Sequence, residues 1–398
     1  MMKKKKVAVV SCYFQPNYGS MLQALATQSV LDLLGIPNET IDIEGLKQEI
    51  RAEKVKYFRS RILSIDVIKD KLGFVKLALA KKVNKELKHN IIIRNRCFEA
   101  FSKKQFKLSK AYHSKKELGQ NASEYAAFLV GSDQLWLPSN IAANYYTLSF
   151  VPDNIRKIAY ATSFGVSSLP KKQAESARKF LPRFDYLSVR EKSGVKLIKD
   201  IAGINAELVC DPTLLLNCEQ WDSIIKSEKR IKEPYLFCYF LGDNHFSRMC
   251  AKRLAKKRGL KTVALQQLDS YIKSDEEFAD IAPYDVDPAG FVNLIKNAEC
   301  VCTDSFHGTV FSIINHKEFY SFRRFVQSTS MSTNSRIDSL LSVLGLESRI
   351  INEENDFSTQ IKKKIDYTQI DEKLEEFRTH SMSFLQKALE GCRAINDD

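Results

Sequence analysis

Histidine is the side chain best suited to moving protons near neutral pH, and one of the six in this chain stands in suggestive company. His307 lies in Thr303-Asp304-Ser305-Phe306-His307-Gly308-Thr309, between an apolar stretch, Glu299–Thr303, and a helical pattern through Val310-Phe311-Ser312-Ile313-Ile314. A helix N-terminus at that point offers N–H donors to an anion. Gly308 would admit a ligand close to the backbone, with Ser305, Phe306 and Thr309 as further donor contacts. A lone histidine is more often structural; the flanking Asp, Ser, Gly and Thr favour function. His316, at the far end of the same helix, reads as a C-terminal cap, and His89, His113, His245 and His380 read as surface.

Three more segments sit where a strand runs into a helix. Asn17-Tyr18-Gly19-Ser20 follows the run ending at Cys12, with neither a G-x-G-x-x-G pattern nor a Walker lysine. It is either a ligand turn or a plain tight turn with Ser20 near the cap. Gly131-Ser132-Asp133-Gln134-Leu135-Trp136 follows Ala126–Val130, which places Asp133 and Gln134 to bind hydroxyl-rich groups and Trp136 to stack on a sugar ring. The alternative for Trp136 is a half-buried packing role. In Ser188-Val189-Arg190-Glu191 the arginine offers a planar fork for carboxylate or phosphate, or else pairs locally with Glu191. Arg323, Arg324 and Arg336 follow the strand Glu318–Phe322 and could complete an anion site, although a solvated basic loop is the default for the first two.

The elements that must position these residues alternate between short β-rich runs and helical patterns, the signature of parallel sheets with crossover helices. Strands are expected at Lys6–Cys12, Glu39–Ile43, Ala126–Val130, Lys157–Thr162 and Tyr186–Val189, then at Tyr235–Leu241, Lys261–Leu265, Cys300–Thr303 and Glu318–Phe322. Two such sets predict an α/β chain of two Rossmann-like domains, 1–215 and 216–370, with a seam at Cys210–Glu219 where Asp211-Pro212-Thr213 interrupts the pattern. Residues 45–120 read as a basic helical insertion. Residues 371–398 carry an amphipathic helix, Asp371–Leu389, that could pack back on the first domain.

The chain has 398 residues, 44% hydrophobic and 27% charged, which excludes collagen, coiled coil and disulfide miniprotein classes. Its net charge of +13 suggests a nucleic-acid binder until it is located. Residues 51–120 hold 20 Lys/Arg against 6 Asp/Glu, and the other 328 residues sum to −1. No nucleic-acid partner is therefore expected. A solvated helix face is the plain reading of the basic segment. Phe74, Leu77, Leu79, Val83 and Leu87, interleaved with lysines, would also let a helix there lie on an anionic membrane surface. The nine cysteines, an odd number mostly in apolar runs, read as reduced core thiols of a cytoplasmic protein; no metal cluster is evident. The lysine-led apolar start reads as a buried first strand rather than a leader, and no stretch is apolar enough to span a membrane.

Taken in order, Asn17–Gly19, Gly131–Trp136, Ala161–Gly165, Ser188–Ser193, Asp211–Thr213 and Thr303–Gly308 resemble the motif set of the polysaccharide pyruvyl transferase family, over nearly the whole chain except the basic segment. The resemblance implies a GT-B-like arrangement with the active site in the interdomain cleft. It also implies transfer of a pyruvyl group from phosphoenolpyruvate, as co-substrate and with no other cofactor, to two hydroxyls of a sugar in a cell-surface polysaccharide precursor. By the same resemblance His307 is the catalytic acid/base and Arg190 anchors substrate; Asn17, Tyr18, Gly19, Ser20, Asp133, Gln134 and Trp136 are then expected to face the acceptor, a saccharide that could be lipid-linked. One departure stands out: more distant members carry a phosphate-binding arginine where this chain has Ser305, so either Arg336 substitutes or the donor differs. Two other readings compete, a GT-B glycosyltransferase using a nucleotide sugar and a non-catalytic binder of polyanions or anionic lipid.

Overall fold

A computed structural model describes residues 5–60, 84–267, 272–275, 277–324, 335–352 and 354–392. Two parallel sheets organise the chain. The first contains β1 (Lys6–Val10), β2 (Asn38–Thr40), β3 (Tyr125–Val130), β4 (Arg156–Thr162), β5 (Tyr186–Val189) and β6 (Glu207–Leu208), in the order β2-β1-β3-β4-β5-β6. The second contains β7 (Tyr235–Tyr239), β8 (Lys261–Ala264), β9 (Cys300–Thr303), β10 (Glu318–Phe322) and β11 (Ile350–Ile351), in the order β11-β10-β9-β7-β8. All pairings within them are parallel. Helices cover both faces of such sheets, so strands become continuous apolar runs. Val7–Val10 and Cys300–Val301-Cys302 are accordingly sealed from solvent. The nine expected strands are all present; the two-residue edge strands β6 and β11 are additional.

Both sheets reverse direction of winding once, the first between β1 and β3 and the second between β7 and β9. At such a switch point the loops leaving the two strands part in opposite directions and leave a crevice at their carboxyl ends. Asn17, Asp133 and Leu241 lie in the loops after β1, β3 and β7, and His307 opens the helix that follows β9. Each segment singled out by its chemistry except that of Arg190 and the three later arginines therefore emerges at a crevice.

Helix α1 (Tyr18–Leu33) joins the two halves. It is capped by the Asn17 side chain, which accepts from Ser20 N at 3.1 Å, and is buried over almost its whole length. Tyr18 donates from its hydroxyl to Val286 O at 3.0 Å and stacks on Phe291 at 4.9 Å, both in the second half. The described parts of the segment read as a basic helical insertion are stitched into the fold. Its helices α2 (Lys47–Arg59) and α3 (Lys85–Gln105) lead to an extended stretch in which Thr40 N donates to Lys107 O and Ser109 N to Thr40 O. Phe98, Phe101, Phe106 and Tyr112 enter the main core. Of the amphipathic stretch proposed for a membrane surface, Phe74 to Val83 lie outside the described residues. Among the described residues no helix is long and apolar enough to cross a membrane.

Helices α4 (Phe306–Ile314) and α5 (Ser335–Leu344) flank the second sheet, and α6 (Tyr367–Ala388) closes the described chain. The start of α6 meets the second half, where the Tyr367 hydroxyl donates to Lys317 O and Asp371 pairs with His316 at 3.0 Å. Its end meets the first, with Phe384 against Tyr160 and Arg156 donating to Ala388 O at 3.3 Å. His316 thus binds α6 and stacks on Tyr367 at 4.5 Å; the cap itself is Asn315.

Candidate active site

A cavity of about 220 Å³ opens where the two switch points face each other. Its first wall comes from the loop after β1 (Cys12, Gln15, Asn17, Ser20), from α2 (Lys54), and from the segment after β3 (Asp133, Gln134, Asn140, Tyr146). Its second wall is Leu241 after β7, Ser305-Phe306-His307 at the start of α4, Arg324 after β10 and Arg336 on α5.

Behind the cavity one carboxylate, Asp211, organises the charges. Its Oδ2 accepts from Arg190 Nη1 at 2.5 Å and Ser132 Oγ at 2.7 Å, and faces His307 Nε2 at 3.7 Å, an ion-pair distance rather than a hydrogen bond. Its Oδ1 accepts from Thr213 N at 3.0 Å and Thr213 Oγ1 at 2.6 Å. Burial alone would raise the Asp211 pKa, but His307, Arg190 and Ser132 outweigh it and hold the carboxyl below the usual range. Asp133 behaves alike: against burial, Arg190, His307, the Ser20 hydroxyl at 2.5 Å and Arg336 keep it ionised. Its backbone stands at φ 82°, a left-handed conformation that Asp tolerates better than most residues.

His307 is held on three sides. Its Nε2 is enclosed against Asp211, and Phe306 meets the imidazole edge-on at 5.1 Å. On the third side is Gly19: a Cβ there would sit 1.9 Å from Nδ1. Gly19 is thus a space requirement of the histidine.

The sharpest electrostatic feature is Arg336. It is buried, its Nε has no hydrogen-bond partner, and its guanidinium sits 5.8 Å from the Phe306 ring centroid. Burial, then the like charges of Arg190 and Arg324, push its pKa down to about 9. Asp133 and Glu191 offset this only in part, and neither forms an ion pair with Arg336, so the guanidinium is placed to take an anion.

Several expected contacts lie elsewhere. Trp136 is fully buried among Phe164, Phe180 and Phe184 and donates to Tyr146 O at 3.0 Å, so it cannot stack on a sugar. Tyr18 is sealed in the inter-sheet core. Gly308 makes room for Thr303, whose Oγ1 would lie 2.5 Å from an added Cβ, and its N–H is taken by Ser305 Oγ at 3.3 Å. Thr309 is buried, with its hydroxyl on Ser305 O and Ser321. The Arg190 side chain is sealed, tied to Asp211, to Asp133 at 3.2 Å and over the Phe306 ring at 4.7 Å, so it positions the site rather than touching a ligand. Ser305 caps α4 and lines the cavity, as do Asn17, Ser20, Asp133, Phe306 and Gln134, whose amide packs over Gly165. Arg323 turns away to Asp338 at 2.8 Å. The sequence reading gave Asp211 no role in the site, although Asp211–Thr213 is one of the motifs, and did not single out Lys54, Cys12 or Tyr146, for which no sequence signal exists.

Residues 17–324 match the family model for polysaccharide pyruvyl transferases. The chain belongs to that family. The family is one of transferases, and its name carries a polysaccharide acceptor. A search of curated proteins finds no significant match. Among solved structures, similarity is seen to the UDP-GlcNAc 2-epimerase from Neisseria meningitidis bound to UDP-GlcNAc, at 10% identity over 96% of this chain and 99% of that one, with a TM-score of 0.47. The glycosyltransferase SnogD from Streptomyces nogalater matches at 10% identity over 98% of each chain, with a TM-score of 0.44. These likenesses concern overall architecture and say nothing of this family member's chemistry. The architecture itself, two Rossmann-like sheets with a cleft lined from both, is the GT-B-like arrangement.

Proposed function

We propose that the chain transfers the pyruvyl group of phosphoenolpyruvate to two hydroxyls of a saccharide, producing a cyclic ketal and phosphate. The observation that carries this reading is Arg336: a buried guanidinium with no ion pair among the described residues and no hydrogen bond at Nε, in the same cavity as a histidine backed by a carboxylate. Phosphoenolpyruvate presents both a phosphate and a carboxylate, and its chemistry needs one acid/base and an anion clamp.

In this reading imidazolium His307, stabilised by Asp211, delivers a proton to the methylene carbon, and C2 becomes electrophilic. One sugar hydroxyl adds to C2 and returns its proton to His307. Phosphate then leaves with its electron pair, and the second hydroxyl closes the ring. Of the two hydroxyl protons, one ends in the new methyl group and the other on phosphate. Arg336 neutralises the donor's charge, taking the place of the arginine that Ser305 replaces, and Asp133 and Gln134 face the acceptor. Arg190 holds Asp133 and Asp211 in register.

Thermal melting with phosphoenolpyruvate and with nucleoside diphosphates separates this reading from a nucleotide-sugar transferase. Stabilisation by phosphoenolpyruvate, lost in Arg336→Ala, is expected; stabilisation by the nucleotides alone would overturn it. Mass spectrometry of a candidate glycan incubated with phosphoenolpyruvate then identifies the product.

A further inference from the structure

Among the described residues, the cavity lining has three cations, Lys54, Arg324 and Arg336, in addition to His307, and a single carboxylate, Asp133. Asp133 is already engaged by Ser20 and Arg190. Arg324 has a partial partner, standing 3.9 Å from Asp304 Oδ1 and donating to Asp304 O at 3.4 Å. Neither Lys54 nor Arg336 makes an ion pair among the described residues, Arg336 feeling Asp133 and Glu191 only from beyond that distance, and they stand on opposite walls, Lys54 beside Cys12 on the first and Arg336 with Phe306 on the second.

Lys54 comes from α2, in the segment where the family motifs lapse. Nothing about its sequence position distinguishes it from the other lysines there. The fold singles it out. On the same helix, Lys56 pairs with Glu53 at 2.8 Å in solvent and Lys47 with Glu44 at 2.5 Å, as surface lysines do. Lys54 instead turns inward, is partly buried, and its ammonium pKa is lowered by that burial. α2 is fixed against the molecule by Ile50 in the core and by Glu49, which accepts from Lys115 N at 2.9 Å. The placement of the amine is thus a property of a packed helix. Desolvating a lysine costs stability unless an anion repays it.

We infer that Lys54 is a second anion-binding residue for the donor, holding from the first wall whichever of its two anionic groups Arg336 does not hold from the second. This rests on the donor reading above and extends it: the cavity recognises a compact molecule with two separate anionic groups, and the inserted basic helix supplies half of that recognition. A mono-anion would engage one wall and leave the other cation unpaired.

The test is calorimetric titration of the full-length protein and its Lys54→Ala, Lys54→Gln, Lys54→Arg and Arg336→Ala variants. Phosphoenolpyruvate, inorganic phosphate and pyruvate serve as separate probes. A charge-assisted hydrogen bond predicts that Lys54→Ala and Lys54→Gln weaken phosphoenolpyruvate binding roughly 10- to 100-fold, with Lys54→Arg recovering most of it. Phosphate and pyruvate each carry one of the two anionic groups, and the one whose binding also weakens identifies the group Lys54 holds. Restoration by arginine distinguishes a charge contact from a packing role, and unchanged melting temperatures show that the variants fold. If Lys54→Ala and Lys54→Gln bind phosphoenolpyruvate as the wild type does while Arg336→Ala does not, the assignment of Lys54 is wrong and the donor reading stands. Failure of the wild type to bind phosphoenolpyruvate at all would refute the donor reading, and with it this inference.

Discussion

Replacing Asp211 by Asn preserves shape and removes charge at the point where the site's electrostatics converge. The native Oδ1 accepts twice from Thr213, and Oδ2 accepts from Arg190 and Ser132 while facing His307. An amide can keep only one of these sides. With its oxygen on Thr213, its NH2 points at the Arg190 guanidinium, and donor meets donor in a region sealed from water. Removing one partner of a buried pair costs about 3–5 kcal/mol, most of it the penalty of the charge left behind. Asp133 still reaches Arg190 at 3.2 Å, which favours the lower end, about 3 kcal/mol or roughly two orders of magnitude in the folding equilibrium. Urea unfolding followed together by circular dichroism and tryptophan fluorescence measures it. The double variant Arg190→Met/Asp211→Asn should lose less than the two single losses combined, because no uncompensated guanidinium remains. A loss below about 1 kcal/mol for Asp211→Asn, or strict additivity in the double variant, would refute the claim that this carboxylate balances a buried charge.

Four further outcomes follow from the geometry. Gly19→Ala gains about 0.5–1 kcal/mol of helix propensity but drives a methyl into the His307 ring, so melting temperature should change little while phosphoenolpyruvate-dependent phosphate release drops about 100-fold; retained activity would show that the imidazole has room to move. Arg336→Ala should melt no lower than wild type without ligand, since a buried cation with no ion pair among the described residues is removed, and should lose stabilisation by phosphoenolpyruvate; a large drop in ligand-free stability would mean that Asp133 and Glu191 repay its burial. Asp133 and Asp211 have folded pKa values below the unfolded value of about 3.9, so their contribution is complete above that pH and is lost as pH falls through the folded values. An acid titration should therefore show stability holding down to about pH 4 and declining below it, with a shallower decline in Asp211→Asn. Trp136→Phe should lower stability by roughly 1–3 kcal/mol yet leave phosphoenolpyruvate affinity unchanged, and the reverse pattern would restore a ligand role for the indole.

The strands were legible because a strand buried on both faces announces itself as an unbroken apolar run, and Ala126–Val130 or Cys300–Thr303 could hardly be anything else. The two-residue strands β6 and β11 carry no periodicity to detect. The location of the cleft was legible too, because strand-to-helix junctions with small and polar residues mark the carboxyl edge of a sheet. Which side chains enter the cleft was not. Tyr18 and Trp136 stand in such junctions, but their rings are claimed by Phe291 and by Phe164, Phe180 and Phe184, partners distant in sequence. Gly19 and Gly308 look alike in sequence, yet one vacates space for His307 and the other for Thr303. Lys54 is the converse: an ordinary lysine in a basic run that acquires significance only from the way α2 is docked.

The path of α6 has a mechanical consequence. The backbone passes from the first sheet to the second after β6 and returns through α6, whose start is bound to Lys317 and His316 and whose end is bound to Tyr160 and Arg156. Together with α1, whose Tyr18 is lodged against Val286 and Phe291, these crossings brace the two walls of the cleft at three places. The fit of the His307 ring into the space left by Gly19 is therefore set by contacts far from the ring itself.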